Sequence, residues 1–170
     1  ANPHMQPADP SFYRADRVLF DQNWLGQKTG KGYYQYEKGS RERHNHPEAR
    51  ALLAAEAAKL GIPQRTDITS QEIVERCIYS MINEGAYILE EGVAQRPGDI
   101  DVVYTSGYGF PRFRGGPMFY ADEIGLDTVL AGIEKYGRTG NPEFWKPAPL
   151  LKKLAQEGST FAAWQAARSK

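Results

Sequence analysis

The stretch ITSQEIVERCIYSMINEGAYILEEG, Ile68 to Gly92, carries the strongest periodic signal of the 170-residue sequence. Thr69 and Glu72 stand three apart, the spacing at which a hydroxyl and a carboxylate satisfy the free N–H groups of a helix start. Val74, Cys77, Ile78, Met81, Ile82, Gly85 and Leu89 then recur at three- and four-residue steps, which puts them on one helical face. Gly92 suits the end. The spacing therefore predicts a long amphipathic helix, with Cys77 a small buried hydrophobe on its apolar face. Glu75 and Glu84 flank the stripe. They are read as solvent-facing or arginine-paired side chains, with Arg76 the obvious cation, rather than as an acid/base pair.

Downstream, the pattern stays helical. Pro97 opens a helix with Ile100, Val103 and Tyr104 on one side. Pro117 starts a short one ending near Gly125. Leu126, Val129, Leu130 and Ile133 make a further apolar face closed by Gly137. After the loop RTGNPEFWKPAP come Leu150, Leu151 and Leu154 on one helix, and Phe161 with Trp164 on a last one. Upstream, Pro47 and Gly61 bracket a helix carrying Leu52, Leu53 and Leu60. Phe12 to Trp24 suits a short helix. The segment LGQKTGKGYYQYEKG, Leu25 to Gly39, reads as extended, with Tyr33, Tyr34 and Tyr36 lying on a neighbour. SRERHNH, Ser40 to His46, reads as a solvated linker. No alternating run is long enough for a sheet. The expectation is an all-α body over residues 47–170 with an extended N-terminal arm over 6–46. Residues 1–5, ANPHM, look like a cloning remnant that takes His4 with it.

Composition narrows the function. The 21 basic residues balance the 21 acidic ones, which argues against nucleic acid or an anionic membrane as main partner. No apolar run approaches the ~20 residues of a membrane span. A single cysteine fits a reducing compartment. The end, ARSK, resembles a peroxisomal address without its final leucine, so the expected location is cytoplasmic. No Gly-x-Gly-x-x-Gly follows a strand, and no P-loop, HExxH, CxxC or GxSxG occurs. His44 and His46 are read as exposed turn residues. A metal-dependent hydrolase built on them lacks further ligands.

One segment stands apart: GYGFPRFRGGPMFYAD, Gly107 to Asp122. Gly115-Gly116-Pro117 makes a sharp turn into a helix start, whose free N–H groups suit an anion. Arg112 and Arg114 add guanidinium donors. Two uses compete: contact with a phosphate-bearing ligand, or a corner between helices with the arginines tied to carboxylates of an adjoining domain. The corner is the favoured reading.

Three segments in order, LGQKTGKGYYQYEKG, the Ile68 stretch continued to Tyr104, and GYGFPRFRGGPMFYAD, closely resemble the C-terminal part of multifunctional fatty-acid β-oxidation enzymes. Those enzymes join an enoyl-CoA hydratase/isomerase to an L-3-hydroxyacyl-CoA dehydrogenase. The resemblance runs from about Tyr13 to Trp164. It implies a helical domain of the 6-phosphogluconate-dehydrogenase C-terminal-like type, the second of two related copies. The NAD-binding domain and the catalytic histidine–glutamate pair lie upstream in that family, so no catalytic residue, NAD site or metal is expected in this chain. Where the first copy opens its long helix with asparagine-arginine, this chain has Glu75-Arg76, which fits the non-catalytic copy.

The resemblance further implies partners. These are the upstream NAD-binding and first helical domains, met through Tyr108, Phe110, Pro111, Phe119 and Arg76, and an acyl-CoA, approached by Ser106, Arg112, Arg114, Lys28 and Lys31. Lys28 and Lys31 also read as a plain solvated loop. Ser106 stands where family members can carry a substrate-facing tyrosine, so its contact is expected to be weaker. A chain without its neighbour is expected to self-associate. The alternative is a free-standing helical assembly module without a catalytic role.

Overall fold

The computed structural model describes residues 13–168. The readings of residues 1–5, of His4 and of a helix start at Phe12 lie outside them. The chain forms two compact units, one ending at Asp67 and the other beginning at Ile68.

The first unit holds α1 (Arg14–Asp21), β1 (Tyr34–Gln35), β2 (His44–Asn45) and α2 (Pro47–Lys59). Pro47 takes the first turn of α2, where its missing N–H costs nothing. Helices α1 and α2 pack on each other, and Arg14 Nε donates to the buried Glu56 at 2.6 Å. Helix α2 thus packs with the residues that precede it in this unit. The segment before β1 folds back on itself, the Gly26 N–H donating to the Lys31 carbonyl at 2.7 Å. A Cβ on Gly32 would lie 2.8 Å from Gly26 Cα, so only glycine permits this approach.

Two expectations fail here. A small antiparallel sheet exists, pairing Tyr34 with Asn45 and Gln35 with His44. His46 is not an exposed turn residue: it is 1% exposed. The linker is held because its backbone completes the hairpin, which turns the His46 ring inward onto Trp24.

The second unit is wholly helical among the described residues: α3 (Ser70–Glu90), α4 (Pro97–Gly107), a 3₁₀ turn at Arg112–Arg114, α5 (Pro117–Ile124), α6 (Leu126–Thr139), α7 (Pro149–Gln156) and α8 (Phe161–Arg168). Thr69 Oγ1 accepts from the Glu72 N–H at 3.1 Å, the cap that the spacing predicts. Ile82, Ala86 and Leu89 of α3 meet Ile100, Met118, Val129, Ile133, Leu151 and Phe161 in one core. Asn83, buried on α3, pins the loop before α7: its Nδ2 donates to the Lys146 carbonyl and its Oδ1 accepts from Ala148 N–H, each at 2.8 Å. Helix α6 runs past the expected stop at Gly137 and ends at Thr139.

The apolar stripe of α3 divides in two. Its C-terminal half is buried in the core. In its N-terminal half Ile73 is 54% and Val74 44% exposed, and Cys77 is exposed as well. The expectation of a buried Cys77 is corrected: among the described residues, no element of this unit covers that half of the face.

Candidate functional site

The uncovered half of α3 faces the corner between α4 and α5. Between them lies an open groove of about 370 Å³. Ile73, Val74, Cys77 and Ile78 form its α3 wall, and Phe110, Pro111, Arg114 and Tyr120 the opposite one. The Phe110 N–H donates to the Tyr104 carbonyl at 3.0 Å, closing α4, and its ring is buried. This anchors the corner from within the unit.

The corner is built around one carboxylate. Asp101, on α4, is buried and accepts from the N–H groups of Met118, at 2.7 Å, and Phe119, at 3.2 Å. It therefore occupies the start of α5 that the sequence reading offers to an external anion. Gly116 supplies the left-handed backbone, φ 120°, and a Cβ there would lie 2.4 Å from Asp101. Burial raises the Asp101 carboxyl above its usual range, and the two backbone N–H groups pull against that rise. Asp122 repeats the device, accepting from Phe161 and Ala162 N–H at the start of α8.

At the other flank of α3 sits a charged cluster. Arg76 Nε donates to Glu72 at 2.9 Å, and its guanidinium lies 4.3 Å from the Tyr136 ring centroid. The buried Tyr136 hydroxyl donates to Glu75, which also accepts from Gln71 at 3.0 Å. Glu75 is therefore tyrosine-bonded, where an exposed or arginine-paired carboxylate is expected from sequence. Burial, then the Glu75 hydrogen bond, pushes Tyr136 up to about 12. The Tyr136 bond in turn lowers Glu75.

The signs of these two shifts set a pH window. A raised tyrosine stabilises the fold below the unfolded value near 10, and this is lost as pH climbs through about 12. A lowered glutamate stabilises it above the unfolded value of 4.5, and this is lost as pH falls through the folded value. The stability gap between the wild type and Tyr136→Phe is thus expected to be flat from about pH 6 to about pH 9 and to narrow on both sides. Urea midpoints across pH check this, and a gap that never narrows contradicts it.

The positions singled out from sequence are placed as follows. Ser106 is exposed on the last turn of α4. Arg112 and Arg114 are exposed on the 3₁₀ turn. Neither arginine has an ion-pair partner among the described residues; Arg114 lies 5.7 Å from the Tyr120 ring. Arg114, Phe110 and Pro111 come together in the groove, whereas Tyr108, 77% exposed, and Phe119, 53%, stand outside its lining. Lys28 and Lys31 belong to the first unit, Lys28 exposed and Lys31 bonded to Glu48 at 3.1 Å. Sequence reasoning missed Asp101, Asp122, Asn83 and Tyr136. Asp101 is far from α5 in sequence, and no local pattern marks it.

The sequence pattern of the family described as "3-hydroxyacyl-CoA dehydrogenase, C-terminal domain" matches residues 73–163, more than half of the chain and both walls of the groove. The chain belongs to this family. It is similar to the peroxisomal bifunctional enzymes of Homo sapiens, 44% identical over 96% of this chain, and Danio rerio, 43% over 92%. It is also similar to the fatty acid oxidation complex subunit alpha of a Psychrobacter species, 34% identical over 89% of this chain. It spans only 24%, 23% and 21% of those relatives. The dehydrogenase part of multifunctional enzyme 1 from C. elegans superposes with a TM-score of 0.59 at 25% identity, covering 82% of this chain and 32% of that one.

A dinucleotide such as NAD needs a seat for its pyrophosphate, and the described residues do not fit one. The only sheet among them has two strands of two residues, with no parallel strand–turn–helix to receive a pyrophosphate. No described helix is long and apolar enough to cross a membrane.

Proposed function

We propose that this chain serves as the second helical part of a longer β-oxidation enzyme that oxidises L-3-hydroxyacyl-CoA with NAD and hydrates enoyl-CoA. The observation that carries the reading is the uncovered apolar groove on α3, inside the family match. A face that water did not shape belongs against another protein surface. The relatives are about four times as long, and the candidate in this reading is an upstream first helical domain of the same polypeptide. In this reading residues 6–46 are the arm closing that preceding domain, and the body after it completes the preceding domain's wall. Chemistry and the NAD site lie upstream, and this chain alone turns nothing over. Acetoacetyl-CoA with NADH tests that directly: absorbance loss above background from the isolated chain would refute it.

The acyl-CoA contacts are proposed in order of availability. Arg112 and Arg114 are exposed, lack carboxylate partners among the described residues and sit at the corner. Lys28 is exposed, Lys31 is already engaged by Glu48, and Ser106 offers only a hydroxyl. Replacing both arginines with alanine in the longer enzyme is expected to raise KM for acyl-CoA about tenfold, about one charge-assisted hydrogen bond's worth, with kcat unchanged. If KM holds and only domain association weakens, the arginines serve the corner and not the substrate.

The exposed Ile73, Val74 and Cys77 also favour a second reading, a helical module pairing with its own copy. Sedimentation separates the two, since a clean monomer at high concentration removes the second. The cytoplasmic location expected from the sequence stays a proposal. Zebrafish and human relatives carry "peroxisomal" in their names, and a tagged chain found in peroxisomes would replace it.

A further inference from the structure

The first unit contains one buried polar atom without a hydrogen-bond partner, His46 Nε2. Such atoms are rare and costly, of the order of 1–3 kcal/mol each. The ring is fully enclosed. Its Nδ1 lies 2.7 Å from the Gly32 carbonyl, and a carbonyl only accepts, so Nδ1 carries a hydrogen. In the neutral ring Nε2 is then a bare lone pair, and 3.6 Å away stands a carboxylate oxygen of Glu48. Two acceptors face each other, an arrangement that a single proton reverses.

We infer that His46 is a proton-operated latch between the hairpin and α2, closed when Nε2 gains a proton and donates it to Glu48. The two contacts of one ring then join the two sides. Nδ1 holds the hairpin through Gly32, and Nε2 holds α2 through Glu48 in its first turn. Histidine is the side chain that changes charge in the physiological range.

The surrounding charges set the balance. Glu48 is the one acid within ion-pair distance of the ring among the described residues. Lys31, from the loop before β1, already bonds the same Glu48 oxygen at 3.1 Å and competes for it. Trp24, its ring tilted against the imidazole with centroids 4.5 Å apart, is neutral, and Lys31 sits 5.8 Å from its centroid. The free N–H groups at the start of α2 oppose a cation there. His44, two residues before, pairs through β2 with Gln35. One attraction thus works against a helix end and a neighbouring ammonium, which leaves the latch reversible.

Hydrogen exchange on the full chain reads the latch. The N–H groups of Gly26, Gly32 and Tyr36 are bonded inside the hairpin. Their protection, corrected for intrinsic exchange, is expected to rise on the order of tenfold from about pH 7.5 to about pH 5.5, the size of a hydrogen bond to a charged group. Glu48→Gln keeps an oxygen for Lys31 and removes the charge that the imidazolium needs, so most of the rise should vanish. Lys31→Gln removes the competitor and should keep the rise. A purely structural His46 would give flat protection across this range in the wild type. That result, or a full rise in Glu48→Gln, overturns the latch. Both substituted side chains lie outside the core, so neither test depends on a variant that fails to fold.

Discussion

Replacing Asp101 with alanine is expected to destabilise the helical unit by about 3 kcal/mol, the combined cost of a lost helix cap and a buried amide left without an acceptor. The carboxylate holds Met118 and Phe119 N–H at the start of α5, and Met118 itself is fully buried. Water cannot replace the missing acceptor for Met118. Asparagine should restore about half of the loss, since its side-chain oxygen can accept one of the bonds. Chemical denaturation measures both. If Asp101→Ala and Asp101→Asn fall together within experimental error, the acceptor is not what matters and the account of the corner fails. Gly116→Ala should be at least as damaging: it adds a Cβ at 2.4 Å from Asp101 on a backbone at φ 120°.

The second large effect is expected without loss of stability. Val74 is 44% exposed on the groove wall, so Val74→Glu should change the isolated chain's stability by no more than about 0.5 kcal/mol. Against a docking partner, the same change buries a charge with no counter-ion. That should weaken association with the separately produced upstream half by at least about a hundredfold, roughly 2.7 kcal/mol at 1.4 kcal/mol per decade. Calorimetric titration of one half with the other gives the number. Equal affinity of wild type and Val74→Glu would show that the partner sits elsewhere.

Much of this architecture is legible in the sequence, and the reasons are local. Thr69 and Glu72 cap α3 because capping needs only residues three apart. Pro47, Pro97 and Pro117 mark the starts of α2, α4 and α5 because a missing N–H is cheapest there. What stayed hidden depends on distant partners. The α3 stripe has one helical period throughout, yet only its C-terminal half finds a neighbour in this unit. Periodicity reports an apolar face; it does not report who covers it. That is why Cys77 was expected inside. His46 reads as part of a polar run, because hairpin pairing between residues nine and eleven apart leaves no mark in so short a strand. Glu75 bonds Tyr136, 61 residues away, and Asp101 turns the most inviting anion site in the sequence into an internal joint. The glycine-rich segment is a corner first. Its two arginines stand exposed on the outside of it.

Cys77 is the only cysteine in the chain and stands on the groove wall. Its alkylation rate, followed on the peptide that contains it, is the most direct probe of whether this face is shared. In the isolated chain, diluted to keep copies apart, it should react as an open thiol. Within the proposed longer polypeptide it should react at least about a hundredfold more slowly, the opening of a packed interface costing a few kcal/mol. Equal rates in the two settings would mean that the groove lies open in the assembled enzyme, and that the upstream domain does not rest on it.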